Sequence, residues 1–564
     1  MRQPAASIRP RPRSAEAAAA PPRPASVPLA AAVVAWVAIA VAIALLMLWY
    51  LALSRRAAGR LGFPLDDSWI HVRFAQNLAA GRGFSFNPGE PTGTTTGVLW
   101  TLLLAAGYRL SHHRLFTPIA INWALCLLLC AAVYALTLEM VHRPWVGLAA
   151  AATAAVTVPL PWWALSGMEP PLYGALALLG IVLHLCLRRV HGVRSLLPTA
   201  AFALAGLARP ECFLLFPLAL LDRLAAAGLA DRSAGWARRW AVDAAIQIPV
   251  FAAIAAPVFI YNVRVTGYPL PTSFYSKLQW MSVSGAAATQ RTSALLYVLA
   301  AAPAKELWDV LKVWTANNAL LLPGFAAGLL WLVREAVASR GRRGSLLIPA
   351  VLVVQPAVWA LVAGYRPPGF QSQRYLANLN PLYLVLGVVG GWWVTERLAV
   401  LRRPAVRGAL AAAVLVLSLL RQPAGALTYA TNVKNITEMQ VATAQWLRDH
   451  TAPESLLAVN DVGAIGVISD RRVLDLQGLV TPEILSRRDL EHRMAGTAPE
   501  AVFEFIAERQ PDYLVIFPNW YPELDARRDL FTPVFEVHIQ NNITCGSDLM
   551  RVYRTAWSTH RSGS

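Results

Sequence analysis

Charged residues are scarce in this sequence. They make up 15% of its 564 residues, against about a quarter in soluble globular domains. Lysine is rarer still. There are four, and none follows a glycine, so a GxxxxGK phosphate loop is absent, as is HExxH. This excludes an ATP-driven transporter with its nucleotide site on this chain. Cysteine is also sparse. Cys126, Cys130, Cys186 and Cys212 fall within apolar runs and Cys545 stands alone, so neither a disulfide framework nor a zinc site is indicated.

Apolar residues are abundant, at 56%, and the mean hydropathy is +0.45. A membrane-crossing helix needs about 20 apolar residues, which allows roughly ten spans and a modest soluble domain. Single-pass, disordered and disulfide-scaffold classes are excluded. The expected fold is mainly α, a polytopic helical membrane bundle with a small C-terminal extracytoplasmic α/β domain. The net charge of +18 and pI of about 10.2 come from arginines between apolar runs. They fit the positive-inside rule and anionic headgroups, so membrane lipids rather than nucleic acid are the expected partner.

Residues 1–28 are rich in Pro, Ala and Arg and read as a disordered cytoplasmic tail. The run from Leu29 to about Leu53 exceeds a signal-peptide core and reads as an uncleaved first span. Further apolar segments lie near 115–140, 145–164, 172–187, 196–208, 211–229, 241–262, 310–333, 346–364, 375–395 and 407–421, which gives about 11 spans. With the N-terminus cytoplasmic, every cytoplasmic loop is rich in arginine, as the rule requires. The long first outer loop, 54–114, is the exception, with Arg55, Arg56, Arg60, Arg73 and Arg82. Val98 to Ala106 is too short for a span and reads as an interfacial or re-entrant helix. The membrane domain then covers 29–421 and the tail domain 422–564. In the tail, 435–450 and 499–508 have helical spacing, and 455–459, 472–476 and 513–517 read as strands.

The polar clusters share one side under this topology. Asp66 and Asp67, with His71 and Arg73, follow the first span. One carboxylate can take a proton from a hydroxyl nucleophile while the other orients it or holds a divalent cation. Capping of the helix that follows explains the same residues more simply. Glu169 sits in Ser166-Gly167-Met168-Glu169, Arg209 in Arg209-Pro210-Glu211, Lys277 in a loop from Asn262, and Arg374 beside Tyr375. Singly these are turn residues, local ion pairs or snorkelling cations. Together they ring one mouth of the bundle with acids to activate an acceptor and cations to receive an anionic leaving group.

Several of these segments resemble one family. DDSWIHVRFAQNLAAGRGFSFNPGE, SGMEPPLYG, LARPECFLLFPLALL, GYPLPTSFYSK, QRYLANLNPLY and, in the tail, VNDVGAIGVISDRRVLDLQGL occur in the order seen in GT-C integral membrane glycosyltransferases. The resemblance is closest to the bacterial branch that includes the mycobacterial terminal arabinofuranosyltransferases. It implies a polyprenyl-phosphate-sugar donor, a glycan or lipid acceptor, and an active site facing the periplasm or exterior of a bacterial cell membrane. It places the catalytic acid at Asp66 or Asp67 and a second outer acid at Glu169. Lys277, Arg374 and Arg209 would then hold the donor phosphate. Glu169, His71 and Arg73 would position substrate. The sequence departs from relatives at Pro91-Thr92-Gly93-Thr94-Thr95-Thr96-Gly97, where others carry another acid, and at Phe370–Gln373, so the sugar is not implied. Asp461 and Asp475 are candidates for acceptor contact or for turn roles. The alternatives are a transporter or flippase of lipid-linked sugars, which would keep its charges near the bilayer midplane in paired repeats, and a non-catalytic assembly protein.

Overall fold

A computed structural model of the chain describes residues 27–187, 196–230, 235–276, 283–288, 292–339, 344–362, 367–487 and 499–558. Lys277 and nearly all of the N-terminal tail lie outside them. The loop after the first span α1 (Leu29–Ala58) carries α2 (Asp67–Ala79) and α3 (Val98–Leu110). There follow α4 (Phe116–Val141), α5 (Pro144–Ala155), α6 (Pro159–Leu165), α7 (Pro170–Leu187), α8 (Leu196–Ala208), α9 (Leu215–Ala230) and α10 (Trp236–Thr266). The membrane domain is completed by α11 (Ala302–Asn317), α12 (Leu321–Ala338), α13 (Leu347–Val362), α14 (Asn380–Arg397) and α15 (Pro404–Ile436).

The chain is a polytopic helical membrane protein. Among the described residues six helices are long and apolar enough to cross a membrane, and the α5–α6 pair, bent by 62°, makes up to seven. The other expected segments are also helical but are shorter or, for the 18-residue α14, less apolar. With 13 residues, α3 rises about 20 Å, well short of the roughly 30 Å hydrocarbon core, so it is not a span.

Two boundaries differ from expectation. The segment 310–333 is divided by a turn between α11 and α12, because the Lys305, Asp309 and Lys312 side chains make α11 a charged, amphipathic helix. The last span does not end at Arg421. It runs as one helical column from Pro404 to His450, the final turns forming α16 (Ala442–His450). Pro423 does not stop it. Gly425 lets Tyr50 pack close, since a Cβ there would lie 2.4 Å from the Tyr50 hydroxyl. That hydroxyl donates to Gln422 at 2.7 Å, and Gln422 in turn bonds the Val156 carbonyl.

α12 and α14 cross on glycines. A Cβ on Gly324 would lie 2.1 Å from the Gly387 carbonyl oxygen, and one on Gly328 2.4 Å from that of Leu386. Small residues at such crossings let helix backbones approach.

The tail holds a five-stranded sheet ordered β2-β1-β3-β5-β4. Its strands are β1 (Leu456–Val459), β2 (Arg472–Asp475), β3 (Tyr513–Ile516), β4 (Phe531–His538) and β5 (Leu549–Thr555). The first three are parallel and the last two antiparallel. Helix α17 (Gly463–Ser469) connects β1 to β2, and α18 (Pro499–Arg509) precedes β3. Sequence patterning misses β4 and β5. Pro533 interrupts β4 at a bulge, and neither strand alternates cleanly.

This sheet docks on the loop between α1 and α4 through polar contacts. Asn87 bonds both the carbonyl and the N–H of Val473, each at 2.9 Å, as a neighbouring strand would. Arg73 reaches Asp470 at 2.9 Å. The Asp66 carboxylate accepts the N–H groups of Gly463 and Ala464 at the start of α17, both at 2.7 Å. Gly463 is required there, because a Cβ would lie 2.2 Å from the Asp66 carbonyl oxygen. Asp461 is half-buried, shares a side-chain hydrogen bond with Asp66, and accepts from Gln440 Nε2 at 2.7 Å. Burial pushes Asp66 up to about 6, opposed by those N–H bonds and raised by Asp67. Burial and the Asp66 charge push Asp461 well above the carboxylate range, opposed by Gln440.

Both acids hold protons in the folded protein that the unfolded chain releases at about pH 4. Asp66's contribution to stability is therefore complete below about pH 4 and is lost as pH rises through about 6, while that of Asp461 persists to higher pH. The thermal midpoint of the wild type is expected to fall between pH 4 and 7, and Asp461→Asn to flatten that fall. An equal slope in both proteins would contradict the shared proton. Gly328→Leu is expected to lower the thermal midpoint at every pH by wedging α12 from α14.

Candidate functional site

A cavity of about 550 Å³ opens at the end of the bundle that carries α2 and α3. Its lining shows why α2 faces it. Asp67, Ile70, His71 and Phe74 all line the cavity, at the spacing that puts side chains on one helix face. The neighbouring residues point elsewhere. Asp66 caps α17, and Arg73 bonds the Phe86 carbonyl and Asp470. The two adjacent carboxylates therefore diverge, and only Asp67 reaches the cavity. Among the described residues no three His, Cys, Asp or Glu side chains cluster as candidate metal ligands.

Two buried arginines meet the cavity. Arg374 pairs with Asp67 at 2.8 Å and with the Tyr375 hydroxyl at 3.0 Å. Arg209 pairs with Glu169, and with Glu211 at 3.3 Å. Both guanidiniums pack on the Tyr375 ring, at 4.4 Å for Arg209 and 4.9 Å for Arg374. Glu169 is wholly buried and also faces His71 Nε2 at 3.5 Å. Burial opposes its ionisation, but Arg209, His71 and Arg374 outweigh burial and hold its carboxyl below the usual range. Burial holds His71 below its ordinary value, despite Glu169 and Asp67, so the imidazole is neutral near pH 7.

The backbone around these groups is tightly built. Gly167 adopts φ +73° with Phe63 packed where a Cβ would stand. Its carbonyl accepts Trp100 Nε1 at 3.1 Å, which fixes the turn carrying Glu169. Gln371, Ser372 and Gln373 have φ of 47°, 52° and 61°, a left-handed conformation that costs non-glycine residues about 1–2 kcal/mol each. Trp163 holds the Ser372 carbonyl at 2.9 Å, and Asn317 and Asn380 hold the Gln373 amide. The departure noted at Phe370–Gln373 is thus a strained turn that aims Arg374. Tyr173 donates to the Arg374 carbonyl and completes it.

The remaining wall divides in two. Phe213, Leu214, Pro217, Val358, Trp359 and Val362 make it apolar on one side. Thr94, Thr95 and Thr96 line the other, and Leu479 of the tail closes it. Thr272 fixes that tail segment by bonding the Leu479 carbonyl at 2.6 Å. Asp475 stays out of the cavity and accepts the N–H groups of Gln477 and Val480, both at 2.8 Å, as a turn residue does.

Of the residues singled out from sequence, the structure brings Asp67, His71, Glu169, Arg209 and Arg374 together. It turns Asp66 and Arg73 to the tail. Sequence reasoning missed the threonine row, Trp359 and the role of Tyr375 as a platform for two arginines. The spacing of Asp67, Ile70, His71 and Phe74 is the signal that separates Asp67 from Asp66.

Comparison with known proteins supports this architecture. A domain of unknown function (DUF8728) matches residues 423–558. No curated protein matches the sequence. Among solved structures, the Archaeoglobus fulgidus oligosaccharyltransferase is similar at 14% identity and a TM-score of 0.51, over 84% of this chain and 67% of that one. ArnT from Cupriavidus metallidurans, in its apo state, is similar at 13% identity and a TM-score of 0.51, over 93% of this chain and 98% of that one. Neither structure bears on the mycobacterial arabinofuranosyltransferase branch in particular. At these identities it is the fold alone that is shared, a polytopic helical membrane bundle followed by a small C-terminal domain.

Proposed function

We propose that the chain is a glycosyltransferase that moves a sugar from a polyprenyl-phosphate donor to an acceptor hydroxyl. The carrying observation is Asp67, a carboxylate paired with the buried Arg374 on the wall of a mainly apolar cavity that also carries three threonines. The apolar side suits an isoprenoid chain, and the two guanidiniums suit its phosphate. Transfer runs at the periplasmic or outer face of a bacterial cell membrane, with a glycan or lipid as acceptor.

The resting ion pair suggests how the base is released. An arriving phosphate competes with Asp67 for Arg374. Asp67, released from Arg374, accepts the proton of the acceptor hydroxyl as that oxygen bonds the anomeric carbon. The bond from that carbon to the phosphate oxygen breaks, and its electron pair leaves with the lipid phosphate, stabilised by Arg374 and Arg209. Glu169 holds Arg209 and His71 in place. Lys277 is a further, sequence-based candidate for the phosphate. Asp66 serves domain docking.

The test is turnover by purified, reconstituted protein with decaprenyl-phosphate sugars and an extract of glycan and lipid acceptors. Asp67→Asn is expected to lower kcat by about 10²- to 10⁴-fold, the range for a lost general base, with donor binding retained. Asp66→Asn is expected to keep turnover while lowering the thermal midpoint. Arg374→Gln is expected to raise the donor KM. Wild-type turnover in Asp67→Asn would contradict this base, and passage of sugar-lipid across proteoliposomes without transfer would favour the transporter.

A further inference from the structure

The proposed function leaves the threonine wall of the cavity without a role, and its hydrogen bonding is incomplete in a telling way. Thr94 is 4% exposed and its Oγ1 has no hydrogen-bond partner among the described residues. A buried hydroxyl without a partner carries a desolvation penalty that a ligand group can remove. The backbone there is fixed, since Thr94 N donates to Asn262 Oδ1 at 2.8 Å and Asn262 is fully buried. Thr94 therefore cannot turn away cheaply to find water.

Thr95 is part of a relay. Its hydroxyl lies 2.8 Å from Thr101 Oγ1, which donates to the Gly97 carbonyl at 3.1 Å. With the Thr101 proton so directed, Thr95 donates to Thr101, and the Thr95 lone pairs are left to accept from the cavity. His71 Nδ1 meets the same Thr101 oxygen at 3.3 Å, and its Nε2 faces Glu169. The wall thus offers one uncommitted hydroxyl and one acceptor, backed by a neutral imidazole.

Charge beside this wall is already matched. The carboxylates lining the cavity, Asp67 and Glu211, are paired with Arg374 and Arg209. Once phosphate takes Arg374, Asp67 is committed to the proton of the acceptor hydroxyl and Glu211 stays beside Arg209, so neither carboxylate is left for an ammonium on the sugar, and a sugar carboxylate meets no guanidinium beyond those assigned to phosphate.

We propose that Thr94 and Thr95 are the sugar-reading residues of the donor site, and that the sugar they read is a neutral polyhydroxylated ring rather than an amino or acidic sugar. This rests on the donor chemistry proposed above. Thr94 bonds one ring hydroxyl in either direction, and Thr95 accepts from a second. A site that hydrogen-bonds a substrate hydroxyl discriminates strongly against analogues lacking it.

The experiment measures binding to full-length protein in nanodiscs by three probes. They are bare decaprenyl phosphate, decaprenyl phosphate carrying a neutral sugar, and decaprenyl phosphate carrying an amino sugar. The wild type is expected to prefer the neutral-sugar lipid to the amino-sugar lipid. Thr94→Val keeps the side-chain shape. It is expected to weaken the neutral-sugar lipid about tenfold, the value of one lost hydrogen bond, and to leave bare decaprenyl phosphate unchanged. Thr94→Ser should restore binding. Equal loss for both lipids, no loss for either, or preference for the amino sugar would overturn the proposal. No binding of any of the three by the wild type would overturn both it and the donor chemistry beneath it.

Discussion

The site depends on the burial of two guanidiniums side by side. Charges taken out of water are costly unless paired and hydrogen-bonded, and Arg209 and Arg374 share one aromatic ring between them. Asp67, Glu169 and Glu211 supply the compensating charge. These residues come from α2, the α6–α7 turn, the turn after α8 and the turn before α14. Satisfying the two arginines therefore ties four distant segments into one mouth. The same pairing makes the mouth responsive to an anion, because a phosphate offers the arginines what the carboxylates now provide.

The surrounding backbone carries the strain of this arrangement. Three consecutive left-handed residues before Arg374 are stable only because Trp163, Asn317 and Asn380 take up their polar groups. Strained turns of this kind are found where a side chain must be aimed before its ligand arrives. The tail domain adds the cover. It is held to the loop between α1 and α4 by Asn87, Arg73 and Asp66, and it places Leu479 in the cavity wall. Asp66 thus contributes to the site through docking, one residue away from the carboxylate that faces the cavity.

Much of this was legible in the sequence. Long apolar runs and arginine-rich loops mark the helices because membrane insertion constrains both over many residues. The acids and arginines could be assembled on one side by alternating the spans. The division of labour within Asp66 and Asp67 was harder, since adjacent residues at a helix start project about 100° apart. The tail's docking surface was not visible, because nothing in the sequence pairs Asn87 with Val473, Arg73 with Asp470 or Asp66 with Gly463. The threonine row looked like a loss of acid relative to relatives. Its significance lies in Asn262 and Thr101, which meet it only in three dimensions.

The most direct test of donor placement is a structure of the full-length protein with a non-transferable decaprenyl-phosphonate sugar. The phosphonate is expected between Arg374 and Arg209, with the Asp67–Arg374 pair opened and the isoprenoid along Trp359 and Val362. A phosphonate bound elsewhere, or one bound with that ion pair intact, would contradict a mechanism in which the donor itself releases the base.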